Sequence, residues 1–400
     1  MKLKTLILPL SICICVALMF SCISCKKKKI EVSAHTVTST IKTDKPYLKV
    51  FIENSGSMDG YMGDGSQLKD AIYDYVSDLN SYTEKTELYY INSDTIPYKG
   101  SLTSYIKDLN PVSFKVAGGN TANTDLGDIV ARVLSTVNDS TVVVFVSDCI
   151  LDLPNKATKK FLTACKIQIK NEVVNTMKRL PNLGVEILKL SSDFNGKYYQ
   201  TDGKVVYLQD VKRPYYVWII GDKNYLAKFN SEVPLSLLNK YSFEGFIAFS
   251  TLSEVPFDIF NRNLSNKVVI PVGDRYEITL LADLRTTLQA DEDIQNISNY
   301  SFNNSKLTVR DVHKITAKDS PYTHYINFTL PTDILITRDF LTMTIPTMPS
   351  WVEESNDDYG TNISDNLSKT TGIKYLIQGI ADAYKNEKAL ARMNFNVKTR

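Results

Sequence analysis

Histidine and cysteine, the residues of most zinc sites and many nucleophilic active sites, are scarce in this chain. Only His35, His313 and His324 occur among the 400 residues, and none stands near a Ser or Cys nucleophile motif. Four of the six cysteines fall within the first 25 residues, which leaves Cys149 and Cys165 without a Cys or His at zinc-ligand spacing. A zinc centre and a nucleophilic triad are therefore not expected. The two cysteines are either buried free thiols or one disulfide.

Phosphate-binding glycine loops and a basic surplus are also lacking. Gly60 to Ser66 has two glycines at a suitable interval but no Lys before the Ser, and no Gly-x-Gly-x-x-Gly follows a strand pattern. Residues 1–29 hold six lysines and no acids, and the remainder holds 40 basic and 44 acidic residues. A nucleic-acid partner is therefore not expected. We expect no enzymatic activity, and a hydrolase using an acidic cleft stays as an alternative.

The N-terminus is the one long apolar run. A short basic start precedes Leu6 to Phe20, and small residues and cysteines follow. The run is shorter than the roughly 20 residues that span a bilayer, so it predicts a signal peptide over residues 1–25. It resembles a bacterial lipoprotein signal, which implies lipidation at Cys22 or alternatively at Cys25. Residues 26–46 are polar and predict a tether, so we expect a cell-envelope protein anchored to a membrane, periplasmic or surface-exposed.

Residues 47–240 alternate between strand and helix patterns. "TVVVFVS", Thr141 to Ser147, is apolar and β-branched throughout, which predicts a strand covered on both faces. The alternation predicts an α/β fold, a Rossmann-like doubly wound sheet that is mostly parallel. The other strand patterns of this part are Tyr47–Glu53, Glu87–Asn92, Gly184–Leu190 and Arg213–Gly221.

The pattern changes in the second half. Tyr276, Ile278 and Leu280 alternate with polar residues, and similar runs follow, which predicts antiparallel strands with one buried face. Residues 241–350 are therefore expected to form a smaller all-β domain, sandwich-like. Residues 351–400 predict a loop and a C-terminal helix, and the sequence leaves open which domain that helix contacts.

Three loops of the α/β part carry oxygen ligands at the ends of strands or the starts of helices. The first is Glu53-x-Ser55-x-Ser57, which follows a predicted strand. The second is "GGNTANTDLGD", residues 118–128, and the third is "VSDC", Val146 to Cys149. Ligands of open α/β sheets gather at the carboxyl ends of the strands, so we expect these loops to meet.

Together the loops resemble the von Willebrand factor A domain and its metal-ion-dependent adhesion site, whose pattern is Asp-x-Ser-x-Ser, a Thr and an Asp. Ser55 and Ser57 match the serines, Thr124 matches the threonine with Thr121 in reserve, and Asp148 matches the aspartate. The resemblance implies a bound divalent cation. It also implies a protein partner that offers a carboxylate to the metal.

The departure from the family pattern is Glu53, which stands where the family has Asp. Its extra methylene moves the carboxylate by about 1.5 Å. Mg²⁺ demands near-ideal octahedral geometry and Ca²⁺ is more tolerant, so Glu53, Ser55, Ser57, Thr124 and Asp148 predict a Mg²⁺ site or a site for Ca²⁺ or Mn²⁺. The alternative is a structural scaffold with a degenerate site, in which Thr124 is only a helix N-cap and the serines form a turn.

Overall fold

The computed structural model describes residues 29–34, 42–63, 65–122, 125–153, 158–260, 268–317, 319–333, 336–385 and 389–399. The predicted signal peptide with Cys22 and Cys25 lies outside these ranges, and so does Thr124. Across the part of the chain that the structure describes, no helix is both long and apolar enough to cross a membrane.

The chain forms a mixed α/β structure. Its strands are β1 Ile30–Ala34, β2 Tyr47–Glu53, β3 Lys85–Ile91, β4 Thr95–Tyr98, β5 Thr141–Ser147, β6 Leu183–Tyr199, β7 Val205–Asp222, β8 Phe243–Ser250, β9 Ser253–Glu254, β10 Phe257–Phe260, β11 Val268–Val269, β12 Arg275–Ala282, β13 Tyr300–Phe302, β14 Thr308–Lys314, β15 His324–Pro331, β16 Arg338–Thr344, β17 Asn356–Asp357, β18 Thr370–Thr371 and β19 Ala389–Thr399. Its α-helices are α1 Gln67–Asn80, α2 Leu102–Lys107, α3 Pro111–Ala117, α4 Leu126–Ser135, α5 Thr158–Arg179, α6 Lys223–Glu232, α7 Asp291–Gln295, α8 Trp351–Glu354 and α9 Ile373–Tyr384.

The largest sheet has seven strands in the order β4-β3-β2-β5-β7-β6-β8. β2 is parallel to β3 and to β5, whereas the other four pairings are antiparallel. The prediction of a mostly parallel sheet was therefore wrong, and the sheet is mixed.

The physical reason is the hairpin of β6 and β7. Their strand patterns predicted two separate strands, but they continue towards each other and join at a turn where Gln200 N–H donates to Lys204 O over 2.9 Å. Gly203 in this turn has φ +84°. An Asp-Gly pair between strands is the usual hairpin signal, and a hairpin forces the antiparallel pairing.

Apolar side chains cover both faces of the sheet. β5 is buried along its whole length, as predicted. Val142, Val144 and Val146 pack with α1 and α6 on one face, while Val143 and Phe145 pack with α4, α5 and α9 on the other. These two clusters fix the direction in which the ends of β2 and β5 point, and with them the first and third loops.

Two further sheets enclose a third hydrophobic cluster. One runs β11-β1-β19-β16-β13, with β9 beside β19, and the other runs β10-β12-β15-β14. Side chains from both sheets share one cluster, which includes Ile326, Phe328, Leu341 and Met393.

The predicted boundaries of this β region need correction at three places. Ile30–Ala34, expected in the polar tether of residues 26–46, is a strand that pairs with β19. Ala389–Thr399 was expected as part of the loop and C-terminal helix, but it is a strand between β1 and β16. Phe243–Ser250, placed in the all-β domain, pairs with β6 in the large sheet. Each strand pairs with a segment distant in sequence, which local patterns do not reveal.

The C-terminal helix α9 forms where its apolar repeat predicted it. It packs on α5, and a Cβ added at Gly379 would lie 2.7 Å from Lys166 O and 2.9 Å from the Ile169 side chain. Lys166 Nζ and Asp382 Oδ2 are 2.8 Å apart. The helix therefore belongs to the α/β part, although the strand that follows it belongs to the β part.

Candidate metal centre

The first loop begins where β2 ends. Ser55 is 4% exposed, and its hydroxyl forms a hydrogen bond of 3.0 Å with the hydroxyl of Ser57. The backbone N–H of Met58 donates to Ser55 O over 3.1 Å and begins a 3-10 turn at Met58–Tyr61. The structure therefore brings the two predicted serine ligands side by side.

The third loop places Asp148 directly after β5, next to β2 in the sheet. Its side chain is buried, and Oδ1 accepts the backbone N–H of Ile150 over 3.3 Å. Oδ2 is buried and has no hydrogen-bond partner among the described residues. Burial raises the pKa of Asp148, and the Ser57 hydroxyl, the Ile150 N–H and the positive charge of Arg213 oppose that rise. A buried carboxylate oxygen without a partner is costly unless a cation or donor completes it.

The second loop meets the first through its backbone. Thr121 O accepts the N–H of Gly56 over 2.8 Å. Thr124 itself lies outside the described residues. Helix α4 is capped by Asp125, whose Oδ1 accepts the N–H of Gly127 over 2.8 Å and that of Asp128 over 3.2 Å. The N-cap role considered for Thr124 is therefore taken by Asp125.

Glu53 is buried and turned towards the third loop. Its Oε2 accepts a hydrogen bond from the Ser147 hydroxyl, and Ser147 Oγ in turn accepts the backbone N–H of Cys149 over 2.7 Å. Cys149 has φ +54°, a left-handed conformation that is strained for a residue other than glycine. The longer side chain of Glu53 thus helps to hold the loop that carries Asp148, a role that the sequence did not indicate.

Arg213 is a buried charge beside this site that the sequence analysis missed. Its Nη1 donates to the carbonyl oxygens of Asn366, Leu367 and Lys369, over 3.3, 2.9 and 2.9 Å. Its Nε and Nη2 are buried without hydrogen-bond partners among the described residues. The available signal was an arginine at the start of the apolar strand pattern "RPYYVWIIG". Arg213 places a fixed positive charge near Asp148.

The oxygen-bearing side chains of the first and third loops suit a divalent cation better than a cluster of acids or histidines would suggest. Within the described ranges no three His, Cys, Asp or Glu side chains stand close enough together to hold a metal ion. A site built mainly from hydroxyls is compatible with that result. Two neighbouring ligands of octahedral Mg²⁺ at 2.0–2.1 Å are about 2.9 Å apart, and Ser55 Oγ and Ser57 Oγ are separated by 3.0 Å. The serine pair and the unpartnered Asp148 Oδ2 therefore suit a cation.

A cleft of about 610 Å³ opens above the first loop. Clefts of about 300–1,000 Å³ are the usual size of ligand sites. Its lining includes loop residues Ser55, Gly56, Ser57 and Thr121, the α3 residues Phe114 and Lys115, and the hairpin residues Lys197, Tyr199 and Tyr207. The predicted serine ligands thus lie in a concave site.

The remaining candidates for chemistry lie elsewhere. Cys149 and Cys165 are buried free thiols, which settles the choice between thiols and a disulfide. His324 is buried on β15, where burial lowers its pKa to about 4. His313 lies on β14, and His35 is outside the described residues. Neither His313 nor His324 lines the cleft.

Comparison with known proteins adds no assignment to this geometry. No protein-family model matches the chain, and no curated protein matches it.

Proposed function

We propose that this chain is a membrane-tethered von Willebrand factor A-like protein that binds a protein partner through a divalent cation. The observation that carries the proposal is the serine pair with its hydroxyls 3.0 Å apart, together with the unpartnered buried Oδ2 of Asp148. Both follow adjacent parallel strands, β2 and β5. Hydroxyl and carboxylate oxygens are the ligands that hard divalent cations prefer.

Ser55, Ser57 and Asp148 would hold the ion, with Thr124 as a further hydroxyl ligand by the family pattern. Glu53 supplies the second negative charge, and its bond to Ser147 steadies the loop of Asp148. When bound, the cation offers a coordination position to a carboxylate of the partner. The residues of the chain keep the hydroxyls and carboxylates at fixed positions before the partner arrives.

Mg²⁺ is the ion that we propose first. The two serine hydroxyls are hydrogen-bonded to each other over 3.0 Å, and this separation also fits two neighbouring ligands of octahedral Mg²⁺. Ca²⁺ takes longer bonds and more oxygens, and Mn²⁺ shares the preference for oxygen ligands, so both remain alternatives.

The proposed location is the bacterial cell envelope. A lipid on Cys22, or alternatively on Cys25, would anchor the chain to a membrane, facing the periplasm or the outside. The β region would then act as a spacer or a second binding module. The short connection from Cys25 to β1 at Ile30 supports a position of this β region near the anchor.

Calorimetric titration of the purified chain with Mg²⁺, Mn²⁺ and Ca²⁺ tests the metal site. We expect Mg²⁺ binding in the native chain and its loss in Ser57→Ala and Asp148→Asn. Asp78→Asn, an exposed acid on α1, is the matched control and keeps the native affinity. Failure of all three ions to bind a folded native chain would refute the metal-dependent function.

A metal-free scaffold is the second candidate, and two contacts favour it. Arg213 already supplies positive charge near Asp148, and Glu53 is engaged with Ser147. Under this alternative, Ser55→Ala and Asp148→Ala leave partner capture unchanged, and EDTA has no effect on it. The proposed function predicts that either substitution, or EDTA, abolishes capture.

A further inference from the structure

The hairpin of β6 and β7 extends well beyond the large sheet. β6 pairs with β8 only as far as Leu190, and β7 pairs with β5 only from Tyr216 onward. Beyond the sheet the hairpin continues as a two-stranded ribbon, which consists of residues 191–199 and 205–214. One face of the ribbon covers the first loop, where the rings of Phe194 and Tyr61 make an edge contact at 4.9 Å between centroids.

The other face of the ribbon forms a wall of the cleft. Lys197 pairs with Tyr207 and Tyr199 pairs with Val205 in the β-ladder, so these four side chains share one face. Tyr199 is 50% exposed and Tyr207 is 69% exposed, and both line the cleft with Lys197. Exposed tyrosines in a cluster are typical of binding surfaces, because a rigid ring offers apolar area and a hydroxyl together.

The ribbon is fixed at its tip. Thr201 N–H donates to Gly360 O over 3.0 Å, and Ile363 N–H donates to Gln200 Oε1 over 3.0 Å. These bonds tie the hairpin turn to the segment before α9. A wall held in place before binding reduces the entropy that a ligand loses on association.

The cleft contains a side chain that a ligand reaches only by entering it. Ser55 is only 4% exposed, and it lines the cleft together with ribbon residues and with Phe114 and Lys115 of α3. A broad, flat protein face does not reach a hydroxyl that is so deeply placed. An extended peptide chain can reach this hydroxyl, because it can insert one side chain at a time.

The charges of the lining indicate a ligand with limited negative charge. Lys115 and Lys197 line the cleft, and so do Asp59 and Asp152. Burial raises the pKa of Asp59, and the positive charge of Lys115 opposes that rise. Lys115 and Asp59 therefore lie near each other. The two aspartates balance the formal charge of the two lysines, so the lining favours a ligand with one acidic side chain over a polyanion.

We propose that the cleft binds an extended peptide segment of a partner protein, with one acidic side chain at Ser55 and Ser57 and its flanking residues against Tyr199 and Tyr207. The acidic anchor rests on the proposed function. The ribbon contacts do not, because they involve the tyrosine face alone. The ribbon thus determines which peptide is accepted, and the loop below it determines the acidic position.

A phage-displayed library of random linear peptides, panned on the full chain in the presence of Mg²⁺, tests the proposal. We expect selected peptides to share one acidic residue with apolar or aromatic neighbours. Affinity for a selected synthetic peptide should fall at least tenfold in Tyr199→Ala/Tyr207→Ala. Lys170→Glu, a charge reversal at an exposed position of α5, should leave it unchanged. Circular dichroism checks that the variants are folded. We expect them to fold, because both tyrosines are exposed and their removal leaves no buried cavity.

The outcomes separate the two proposals. Peptides that need the tyrosines but ignore EDTA and Ser57→Ala would support the ribbon site and refute the metal-dependent function. Metal binding by calorimetry without enrichment of any linear peptide would refute the ribbon site alone. Selected peptides that bind the double tyrosine variant as tightly as the native chain would also overturn it.

Discussion

Glu53 accepts a hydrogen bond from Ser147 across the adjacent ends of β2 and β5. The bond joins the first loop to the third, because Ser147 also holds the backbone of Cys149. The glutamate that departs from the family pattern therefore has a definite partner. Its extra length allows it to stabilise the loop of Asp148.

Replacement of Glu53 by Asp is predicted to weaken both the fold and the metal site. The shorter side chain withdraws the carboxylate by about 1.5 Å and leaves Ser147 without its buried partner. We expect the free energy of unfolding in urea to fall by about 1–3 kcal/mol, and Mg²⁺ affinity to fall with it.

Ser147→Ala provides the matched variant for this bond. Because both changes break one interaction, the double variant should lose little more stability than either single variant. A Glu53→Asp variant that binds Mg²⁺ more tightly than the native chain would contradict this role and indicate an attenuated ligand.

Arg213→Met is predicted to be strongly destabilising. The substitution removes the guanidinium that donates hydrogen bonds to three carbonyl oxygens in residues 366–369. It also removes the positive charge near Asp148. We expect a loss of about 3–5 kcal/mol in urea unfolding, with faster amide hydrogen exchange in residues 366–371. Arg310→Met breaks an exposed ion pair with Glu277 and should cost about 0–1 kcal/mol. Similar losses in both variants would argue against the buried role.

Gly60→Ala is predicted to disturb the ribbon. A Cβ at Gly60 would lie 2.3 Å from Phe194 Cζ, so the ring and the ribbon must move. Overpacking of this kind typically costs about 1–3 kcal/mol. Gly63→Ala is the control, because no atom lies within 4 Å of its added Cβ. Thermal unfolding measures both, and equal melting temperatures would show that the contact is not tight.

Glu186→Gln is predicted to flatten the dependence of stability on pH. Burial raises the pKa of Glu186 to about 8 in the folded state, against an unfolded value of about 4.3. Between these values the folded chain holds a proton that the unfolded chain has lost, so stability falls as pH rises through this window. The contribution is roughly 3–5 kcal/mol between about pH 4 and pH 9.

Urea unfolding at several pH values measures this effect as the difference between the native chain and Glu186→Gln. Burial also raises the pKa of Asp148. The loss of stability with rising pH that Asp148 contributes is therefore present in the native chain and in the variant alike. Glu84→Gln, at an exposed position, should retain the native profile. If Glu186→Gln has the same dependence of stability on pH as the native chain, Glu186 is ionised in the folded chain and the prediction is wrong.

Metabolic labelling with an alkyne fatty acid in a bacterial host tests the proposed anchor. We expect Cys22→Ser to abolish the label and to release the chain from the membrane fraction, because the lipid is its proposed attachment. Cys25→Ser should keep the label. The reverse pattern would move the modification to Cys25, and a label in both variants would leave neither as the single site.

Much of the framework follows from local sequence patterns. The unbroken apolar run of β5 predicted a strand covered on both faces, and the repeat of Ile373, Ile377 and Ile380 predicted helix α9. The close placement of the first and third loops also follows, because adjacent parallel strands bring their carboxyl ends to one edge. These inferences hold because side-chain periodicity reports which faces of an element are buried.

Only the tertiary structure decided which segments far apart in sequence lie next to each other. β1 and β19 pair although Ile30 and Thr399 are far apart in sequence. The Arg213 hydrogen bonds and the Glu53–Ser147 bond also join residues that are distant in sequence. A strand pattern fixes which side chains point inward but not which strand lies beside it. The sequence by itself therefore determined the oxygen ligands that are available, and the packing of β2, β5 and the ribbon decided that two serines and a buried aspartate lie together beneath a cleft.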